Sequence, residues 1–203
     1  MKHVYVIDDS PLVANALSET LTRRGYKTEV YLDPLVFLRD ARPASPAVIL
    51  LDMRMPAMSG VQLQQQLTEM GRQTPIIFIS GESQVEEIVR GLKQGAVDFL
   101  FKPYVLDSLL TAIELALEKD LKNAQIAQKS ALQALLGQRY ASLTPREQEV
   151  CALLVEGSLS KKIAADLAIS EVTVKFHKTK ILAKMKVKSL QQLAISVHQL
   201  GLG

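Results

Sequence analysis

Acidic, hydroxyl and basic side chains stand at the ends of four short apolar runs. Asp8 and Asp9 close the first run, Asp52 and Ser80 close two others, and Lys102 follows the last. Taken singly, each has an ordinary explanation: a helix cap, a turn serine or a surface lysine. Together they suggest chemistry, because carboxylates in one crevice repel each other unless a hard cation such as Mg²⁺ holds their oxygens. A carboxylate can also accept a phosphoryl group as an aspartyl-phosphate, whose oxygens a hydroxyl and an ammonium group can contact.

Such a site needs a fold that gathers these ends. Apolar runs rich in Val and Ile predict five strands, at His3–Asp8, Thr28–Leu32, Ala47–Asp52, Pro75–Ser80 and Asp98–Phe101. Helical patterns lie between them, as at Pro11–Arg24, Gly60–Met70 and Gln84–Gln94. This alternation predicts an α/β fold, a doubly wound five-stranded parallel sheet with helices on both faces. Ligands of such sheets bind beyond the carboxyl ends of the strands, where the reactive residues stand.

A stretch without Gly or Pro follows, from Leu106 to Leu136. Its apolar spacing predicts one long helix that ends at Gly137, begins in the first domain and continues as a connector. The spacing rests on residues three or four apart: Leu106, Leu110, Ile113, Leu117, Leu121, Ala124, Gln128, Ala131 and Leu135. Two helices with a joint around Lys119–Lys122 are the alternative.

The tail carries the signals of a small all-α domain of four helices. Thr144 before Pro145, and then Ser160, Ser170 and Ser189, are candidate helix caps. Two helices joined by a short turn, Lys161–Leu167 and Glu171–Met185, predict a helix-turn-helix.

The second of these helices has two contrasting faces. Val174, Ile181 and Met185 share one face and should be buried. The other face is small or apolar and edged by lysine, which suits the major groove of DNA; it carries Val172, Phe176, Thr179 and Ala183, with Lys175 and Lys180 at its edges. Further lysines would contact phosphates: Lys178, Lys184, Lys186 and Lys188. The alternative is a packed helix whose Phe176 belongs to the core.

Charge and composition agree with two jobs. Residues 1–124 hold 13 Lys and Arg against 16 Asp and Glu, a net charge of −3, whereas residues 125–203 hold 11 against 5, a net charge of +6. A basic second part suggests a polyanionic partner, although lysines on a solvated face would give the same excess. Cys151 is the only cysteine, and no apolar run is long enough to span a bilayer. With no pattern of a signal peptide, we expect a cytoplasmic protein.

The strings VIDDS, LLDMRMPAMSG, FISGES and DFLFKP closely resemble the receiver domain of bacterial two-component response regulators, a flavodoxin-like fold. The resemblance implies that Asp52 is the phosphoacceptor and that Mg²⁺ or Mn²⁺ is the cofactor. The implied metal ligands are Asp9 directly, Asp8 largely through water, Asp52, and the backbone carbonyl of Arg54. Ser80 and Lys102 would contact the phosphoryl group, Phe99 occupies the aromatic switch position, and Lys102–Pro103 would be a cis peptide.

Two positions near this site are less typical. Ser80 stands where many relatives have threonine, so it keeps the hydroxyl and lacks the methyl group. Arg54 and Glu82 would flank the phosphoryl group and could pair across its mouth, where they would tune its lifetime.

The string LTPREQEVCALLVEGSLSKKIAADLAISEVTVKFHKTKILAKM resembles the LuxR-type helix-turn-helix of the NarL/FixJ response regulators, over residues 143–203. Lys175, Phe176 and Thr179 match positions that face bases, although relatives often carry a basic residue at the position of Thr179. We expect His177 to be structural or to contact phosphate, and Cys151 to lie in the core. The last helix, Ser189–Leu200, would dimerise as in the family or simply pack within its domain.

Together these features predict a response regulator transcription factor with a receiver at 1–120, a helical linker at 121–142 and a DNA-binding domain at 143–203. The implied partners are a sensor histidine kinase, double-stranded DNA with a palindromic site, RNA polymerase, and a second copy upon phosphorylation. We expect no enzymatic activity beyond self-phosphorylation and dephosphorylation. One rival is a phosphatase or phosphotransferase acting through Asp52, but haloacid-dehalogenase enzymes need a second Asp where Arg54 stands. The other is a DNA binder whose receiver serves only to dimerise.

Overall fold

The computed structural model describes residues 1–42, 44–81 and 84–202. The chain divides into two compact units, Met1–Gln125 and Ile126–Gly203, called here the first and second units. The predicted linker at 121–142 remains a prediction, because the division between the units falls inside it.

The first unit is built on a five-stranded sheet whose neighbours are all parallel, in the order β2-β1-β3-β4-β5. The strands are β1 His3–Ile7, β2 Lys27–Tyr31, β3 Ala47–Asp52, β4 Ile76–Ser80 and β5 Asp98–Phe101. The predicted fold class is therefore confirmed, with strand bounds within one residue of those expected.

Helices cover both faces of the sheet. They are α1 Pro11–Arg23, α2 Pro34–Asp40, α3 Gly60–Glu69, α4 Val85–Lys93 and the first part of α5, Leu106–Ala141. Alternate residues of β1 and β3 enter two separate cores: Val4 and Val48 pack with α1 and α5, whereas Tyr5 and Ile49 pack with α2 and α3. Every residue of β1, β3 and β4 is buried, as expected of strands covered on both sides.

Helix α2 was absent from the predicted helices, although its start carries a clear signal. Asp33 caps it by accepting a hydrogen bond from the Leu35 amide at 2.7 Å, and Pro34 occupies the first helical position. The helix is only seven residues long, and Phe37 is its main contribution to the core. So short an element shows little apolar periodicity.

Helix α3 begins against the end of β3. Ser59 and Gln62 form a capping box, and the Gly60 amide donates to the Met53 carbonyl at 3.0 Å. A Cβ atom on Gly60 would lie 2.6 Å from the backbone oxygen of Asp52. Glycine at this position therefore lets α3 approach the residue at the centre of the candidate site.

Helix α5 is unbroken through residues 119–122, so the prediction of one helix is confirmed over the alternative of two. Its predicted end at Gly137 was wrong, because the helix continues to Ala141. The buried stripe also differs. Leu109 and Ala116 are fully buried, whereas Leu121 is exposed, since small residues as well as leucines face the sheet.

The second unit contains, after the end of α5, the helices α6 Pro145–Val155, α7 Ser160–Asp166, α8 Glu171–Met185 and α9 Leu190–His198. Their shared core confirms the predicted four-helix domain; it includes Val150, Cys151, Ile163, Val174, Ile181 and Leu193. Thr144, Ser170 and Ser189 cap as expected. Ser160 does not, because it lies inside α7, whose cap position is Leu159. In the described residues, no helix is both long and apolar enough to cross a membrane.

Two glycine substitutions should shift stability in opposite directions. Gly137→Ala should raise the free energy of unfolding of the second unit by about 0.5–1 kcal/mol, because glycine is unfavourable inside a helix. Among the described residues, the one atom within 4 Å of the added Cβ would be Leu200 Cδ2, at 3.9 Å. Gly60→Ala, its matched control, should lower the free energy of unfolding of the first unit by about 1–3 kcal/mol through overpacking. Urea unfolding followed by circular dichroism measures both, and destabilisation by Gly137→Ala would contradict the helical account.

Candidate phosphoryl site and DNA-reading helix

Asp52 lies at the carboxyl end of β3 and is 8% exposed. Both of its carboxylate oxygens accept hydrogen bonds. The Arg54 amide donates to Oδ2 at 2.7 Å, and the Lys102 ammonium donates to Oδ1 at 2.7 Å. The carboxylate of Asp52 is therefore buried, has a hydrogen bond at each oxygen, and lies at the edge of the sheet where a ligand is expected.

Lys102 joins two strand ends. Its Nζ also donates to Asp8 Oδ2 at 2.7 Å, so one ammonium group bridges the carboxylates that follow β1 and end β3. The Lys102 amide donates to the Ser80 carbonyl at 2.8 Å, which fixes the chain after β5 against the end of β4. The Lys102–Pro103 peptide is cis, as the resemblance implied.

Burial and charge act in opposite directions on this pair. Burial raises the pKa of Asp52, although the hydrogen bonds from Lys102 and from the Arg54 amide favour its carboxylate. Burial likewise disfavours the charged form of Lys102, but its bonds to Asp52 and Asp8 prevail and raise its pKa. The ammonium form of Lys102 is therefore secured by the two acids it bridges.

The predicted metal ligands are only partly gathered. Asp8 is buried and accepts from the Ser10 amide at 2.9 Å, whereas Asp9 is exposed. No group of three or more Asp, Glu, His or Cys side chains placed to hold a metal ion occurs within residues 1–42, 44–81 and 84–202. The available donors are all oxygens, which fits a hard cation, but Lys102 bonds two of the three carboxylates.

The predicted switch residues lie along the neighbouring strands. Ser80 ends β4, is 2% exposed and pairs in register with Phe101 of β5. Phe99 is half-buried and packs edge-on against Phe101, with ring centroids 4.8 Å apart. Phe101 is itself 56% exposed. The half-buried ring of Phe99 is therefore in contact with a ring that is exposed at the surface of β5.

Arg54 faces α4. Its Nη2 atom lies 3.8 Å from Glu87 Oε2, at the first turn of that helix. The pairing expected between Arg54 and Glu82 lies outside the described residues. Glu87 also caps α4 by accepting from the Gln84 amide at 3.1 Å. Through this ion pair, Arg54 connects the loop after Asp52 with the start of α4.

Helix α8 presents the predicted outward face. Val174, Ile181 and Met185 are fully buried, as expected. Phe176 is 56% exposed, which excludes it from the core and removes the alternative reading of this helix. Lys175 is also exposed, so two of the residues predicted to face bases are on the surface of α8.

The other side chains predicted to contact DNA differ in their exposure and in their bonds within the domain. Lys180 Nζ lies 4.4 Å from the centroid of the Phe176 ring, a cation–π contact. Thr179 is exposed, and its Oγ1 donates to the Lys175 carbonyl at 3.1 Å. Lys178 is half-buried. Lys184 is engaged within the domain, as described below, and its predicted phosphate contact remains a prediction.

Three other predictions for the second unit can be compared with the structure. Cys151 is fully buried, and burial raises its pKa to about 11, so the core assignment is confirmed. Leu193 and Val197 of α9 are buried in the core of their own domain, so this helix packs there, and its dimerisation remains a prediction. His177 is partly buried as expected of a structural histidine, and among the described residues its buried Nδ1 has no hydrogen-bond partner.

Comparisons with known proteins agree with this geometry. A family model described as "Response regulator receiver domain" matches residues 4–114, and one described as "Bacterial regulatory proteins, luxR family" matches residues 141–197. The chain belongs to the response regulators that combine a receiver domain with a LuxR-type DNA-binding domain, and it is a transcription regulator. The receiver implies a sensor kinase as partner, and the LuxR-type domain implies DNA binding.

Individual relatives match nearly the whole chain. Response regulator protein TodT of Pseudomonas putida is 41% identical over 190 residues, covering 94% of this chain and 82% of that protein. Transcriptional regulatory protein FixJ of Rhizobium meliloti is 36% identical over 191 residues, covering 94% and 92%. Among solved structures, response regulator StyR matches with a TM-score of 0.76 and 39% identity over 98% of both chains.

One functional pair was missed in the sequence. Glu147 of α6 is 3% exposed; it accepts from the Thr144 amide at 2.8 Å and from Lys184 Nζ at 2.5 Å. Lys184 also donates to the Ser142 carbonyl at 3.1 Å. The capping pattern around Thr144 was the available signal for Glu147, but nothing local indicated a partner 37 residues away. The pair joins helix α8 to helix α6, the first helix after α5 in this unit.

Glu147→Gln should destabilise the second unit at neutral pH. The bonds from Lys184 and Thr144 hold the pKa of Glu147 below its usual range. A depressed pKa contributes stability that is present above the ordinary carboxyl pKa and lost as pH falls through the folded value. We expect Glu147→Gln to lower the free energy of unfolding by about 1–3 kcal/mol, which is typical of hydrogen bonds to charged groups. The loss should not exceed this range, because Lys184 is partly open to solvent.

Urea unfolding at neutral and acidic pH measures the effect. The matched control is Glu149→Gln on the same helix, whose side chain is 53% exposed and should cost little. The difference in free energy of unfolding between wild type and Glu147→Gln should shrink as the pH falls below the pKa values of carboxyl groups. A difference that stays constant would contradict this account.

Proposed function

We propose that Asp52 accepts a phosphoryl group from a sensor histidine kinase and that the modification promotes dimerisation and sequence-specific DNA binding. The observation that carries the proposal is the bridge from Lys102 to Asp8 and Asp52, at 2.7 Å each, in the receiver's strand-end crevice. The bridge supports the proposal because it brings the Asp52 carboxylate next to a positive group that could later hold a phosphoryl oxygen.

The transfer itself needs only one new bond. An oxygen of Asp52 attacks the phosphorus of the donor's phosphohistidine, the P–O bond forms, the P–N bond breaks, and its electron pair returns to the imidazole. Mg²⁺ or Mn²⁺, held by Asp8, Asp9, Asp52 and the Arg54 carbonyl, would supply charge neutralisation for the phosphoryl oxygens. Lys102 exchanges an Asp52 oxygen for a phosphoryl oxygen, and the Ser80 hydroxyl donates to another.

The proposed switch leaves the site through β5. When Ser80 moves toward the phosphoryl group, Phe99 rotates into the space it leaves and changes the surface formed by α4 and β5. Large apolar side chains on this surface are exposed and could pair two receivers: Val85, Val89, Leu92 and Phe101. A dimer brings two DNA-reading helices to the halves of a palindromic site.

The family resemblance also suggests where the regulator works and how it acts on transcription. The regulator would work in the cytoplasm, activate transcription with RNA polymerase as its partner, and catalyse nothing beyond its own phosphorylation and dephosphorylation. Arg54, where haloacid-dehalogenase enzymes need a second acid, argues against a phosphatase acting on small molecules.

Asp52→Asn should abolish phosphoryl uptake, because it keeps the shape of the side chain and removes the nucleophilic carboxylate. Acetyl phosphate with and without Mg²⁺, followed by intact-mass measurement, provides the test. Asp107→Asn, which alters an exposed acid at the start of α5, serves as control and should incorporate phosphate like the wild type. Phosphate persisting on Asp52→Asn would overturn the assignment.

Lys175→Ala should weaken binding to the specific operator by about 1–3 kcal/mol and leave binding to random DNA almost unchanged, as expected of a base contact. Lys178→Ala should weaken both alike and flatten the salt dependence, as expected of a phosphate contact. Lys184 is unsuitable for this comparison because it pairs with Glu147. Titration of DNA selected from genomic fragments measures the difference, and equal losses for Lys175→Ala on both DNAs would contradict the division.

A fragment of residues 126–203, the second unit, should bind DNA independently of phosphodonor. If pairing of receivers is the switch, the fragment binds weakly, and the full-length chain gains dimerisation and DNA affinity together upon phosphorylation. If the receiver instead masks Lys175 and Phe176, the fragment binds tightly. Sedimentation and DNA titration, with and without phosphodonor, distinguish the two. The proposed switch fails if phosphorylation changes neither quantity.

A further inference from the structure

Two large apolar side chains of helix α8 are exposed to solvent. Val172 is 76% exposed and Phe176 is 56% exposed. They lie four residues apart, so their side chains are neighbours on one face of the helix. Both belong to the N-terminal half of α8, the part of a reading helix that contacts base edges. The family resemblance assigns a base-facing position to Phe176 and gives Val172 no role.

The packing of the domain does not explain this exposed pair. The core of the second unit takes Val174, Ile181 and Met185 from the opposite face of α8. Helix propensity does not explain Val172 either, because valine is only a moderate helix former. A single exposed apolar side chain is ordinary. Two that adjoin on the reading helix form a small apolar surface, whose exposure to water is unfavourable until a partner covers it.

The charges around the pair favour DNA as that partner. Helix α8 contains four lysines and one acid, Glu171. Lys175 and Lys180 are exposed, and Lys180 Nζ lies 4.4 Å from the centroid of the Phe176 ring. An apolar surface with basic neighbours suits a polyanion that also presents apolar groups, rather than an apolar protein surface. In the major groove of DNA, that apolar group is the 5-methyl of thymine.

We propose that Val172, beside Phe176 on the outward face of α8, sets sequence preference by packing against the 5-methyl group of a thymine in the major groove. The inference rests on the proposed function, sequence-specific DNA binding, and names a group that is read. Neither side chain has a hydrogen-bonding group, so both can recognise a base only through apolar contact. Lys180 is a positioning residue, which holds the Phe176 ring through the cation–π contact.

The test uses the full-length protein with phosphodonor and an operator selected from genomic fragments. Each thymine of the operator is replaced in turn by deoxyuridine, which removes the 5-methyl group and keeps every hydrogen-bonding group of the base. Burial of one carbon predicts a loss of about fourfold in affinity at the thymine that is read in each half-site. No loss at any thymine would overturn the inference and leave the proposed function intact. Equal binding of selected and random DNA would overturn both.

A double-mutant cycle assigns the methyl contact to Val172. Val172→Ala should weaken binding to the thymine operator severalfold and cost nothing further on the deoxyuridine operator, because the methyl partner is already gone. Lys175→Ala is the matched control on the same helix; it should lower affinity and keep the full sensitivity to deoxyuridine. Val172 is exposed, so the variant should fold, which circular dichroism checks. Wild-type sensitivity to deoxyuridine in Val172→Ala would overturn the assignment.

The positioning role of Lys180 is tested by the ratio of affinities for the thymine and deoxyuridine operators. Lys180→Arg retains a cation that can stack on an aromatic ring, whereas Lys180→Gln does not. The ratio should fall in Lys180→Gln and stay at the wild-type value in Lys180→Arg. If Lys180→Gln lowered affinity for both operators alike, Lys180 would contact phosphate only, and its positioning role would be wrong.

Discussion

The Lys102 bridge is the interaction on which the first unit's functional edge depends. Asp8 and Asp52 are both buried, and two buried carboxylates cannot stay ionised side by side without compensation. Lys102 supplies it with two 2.7 Å bonds, and backbone amides complete the set at the other oxygens. The parallel sheet makes this possible, because it delivers the ends of β1, β3 and β5 to one edge. The sheet order places β3 between β1 and β4, so Asp52 occupies the middle of the crevice.

Under the proposed function, the same bridge is the place where added negative charge at Asp52 would act first. One ammonium group balances two acids, so any group that adds negative charge competes for it. The Lys102 amide bonds the Ser80 carbonyl, and Ser80 pairs with Phe101, which touches Phe99. A movement of Lys102 would therefore be passed on to the residues of β5 through these contacts. Arg54 and Glu87 offer a second route, from the loop after Asp52 to the start of α4. Both sets of contacts lead to the surface of α4 and β5, which carries exposed apolar side chains.

The sequence predicts most of this because its signals are local. Strand-end residues such as Asp52 and Ser80 could be placed from runs of Val and Ile, and Phe176 from helical periodicity. The misses are non-local or short. Glu147 and Lys184 meet across 37 residues, which no periodicity reveals. Helix α2 has too few residues for a pattern. Gly137 was read as a helix end because glycine is a poor helix former, yet the turns on both sides of it carry the helix through. The buried alanines of α5 were missed because the spacing of its larger residues dominated the pattern.

Helix α5 shows how far local propensity must act where tertiary contacts are few. The buried side chain of Asp120 accepts a hydrogen bond from the Ala47 amide at 3.1 Å. This bond holds α5 to the first residue of β3. Leu136 is buried again. Between them, every side chain from 124 to 135 is exposed. Isolated helices of this length are marginal in water, because nucleation is unfavourable and little packing repays it. The segment is composed mainly of Ala, Gln, Leu and Lys, which are strong helix formers. Its helicity therefore depends on propensity and on the two ends that are anchored, and loosening either anchor would shorten the helix from that side.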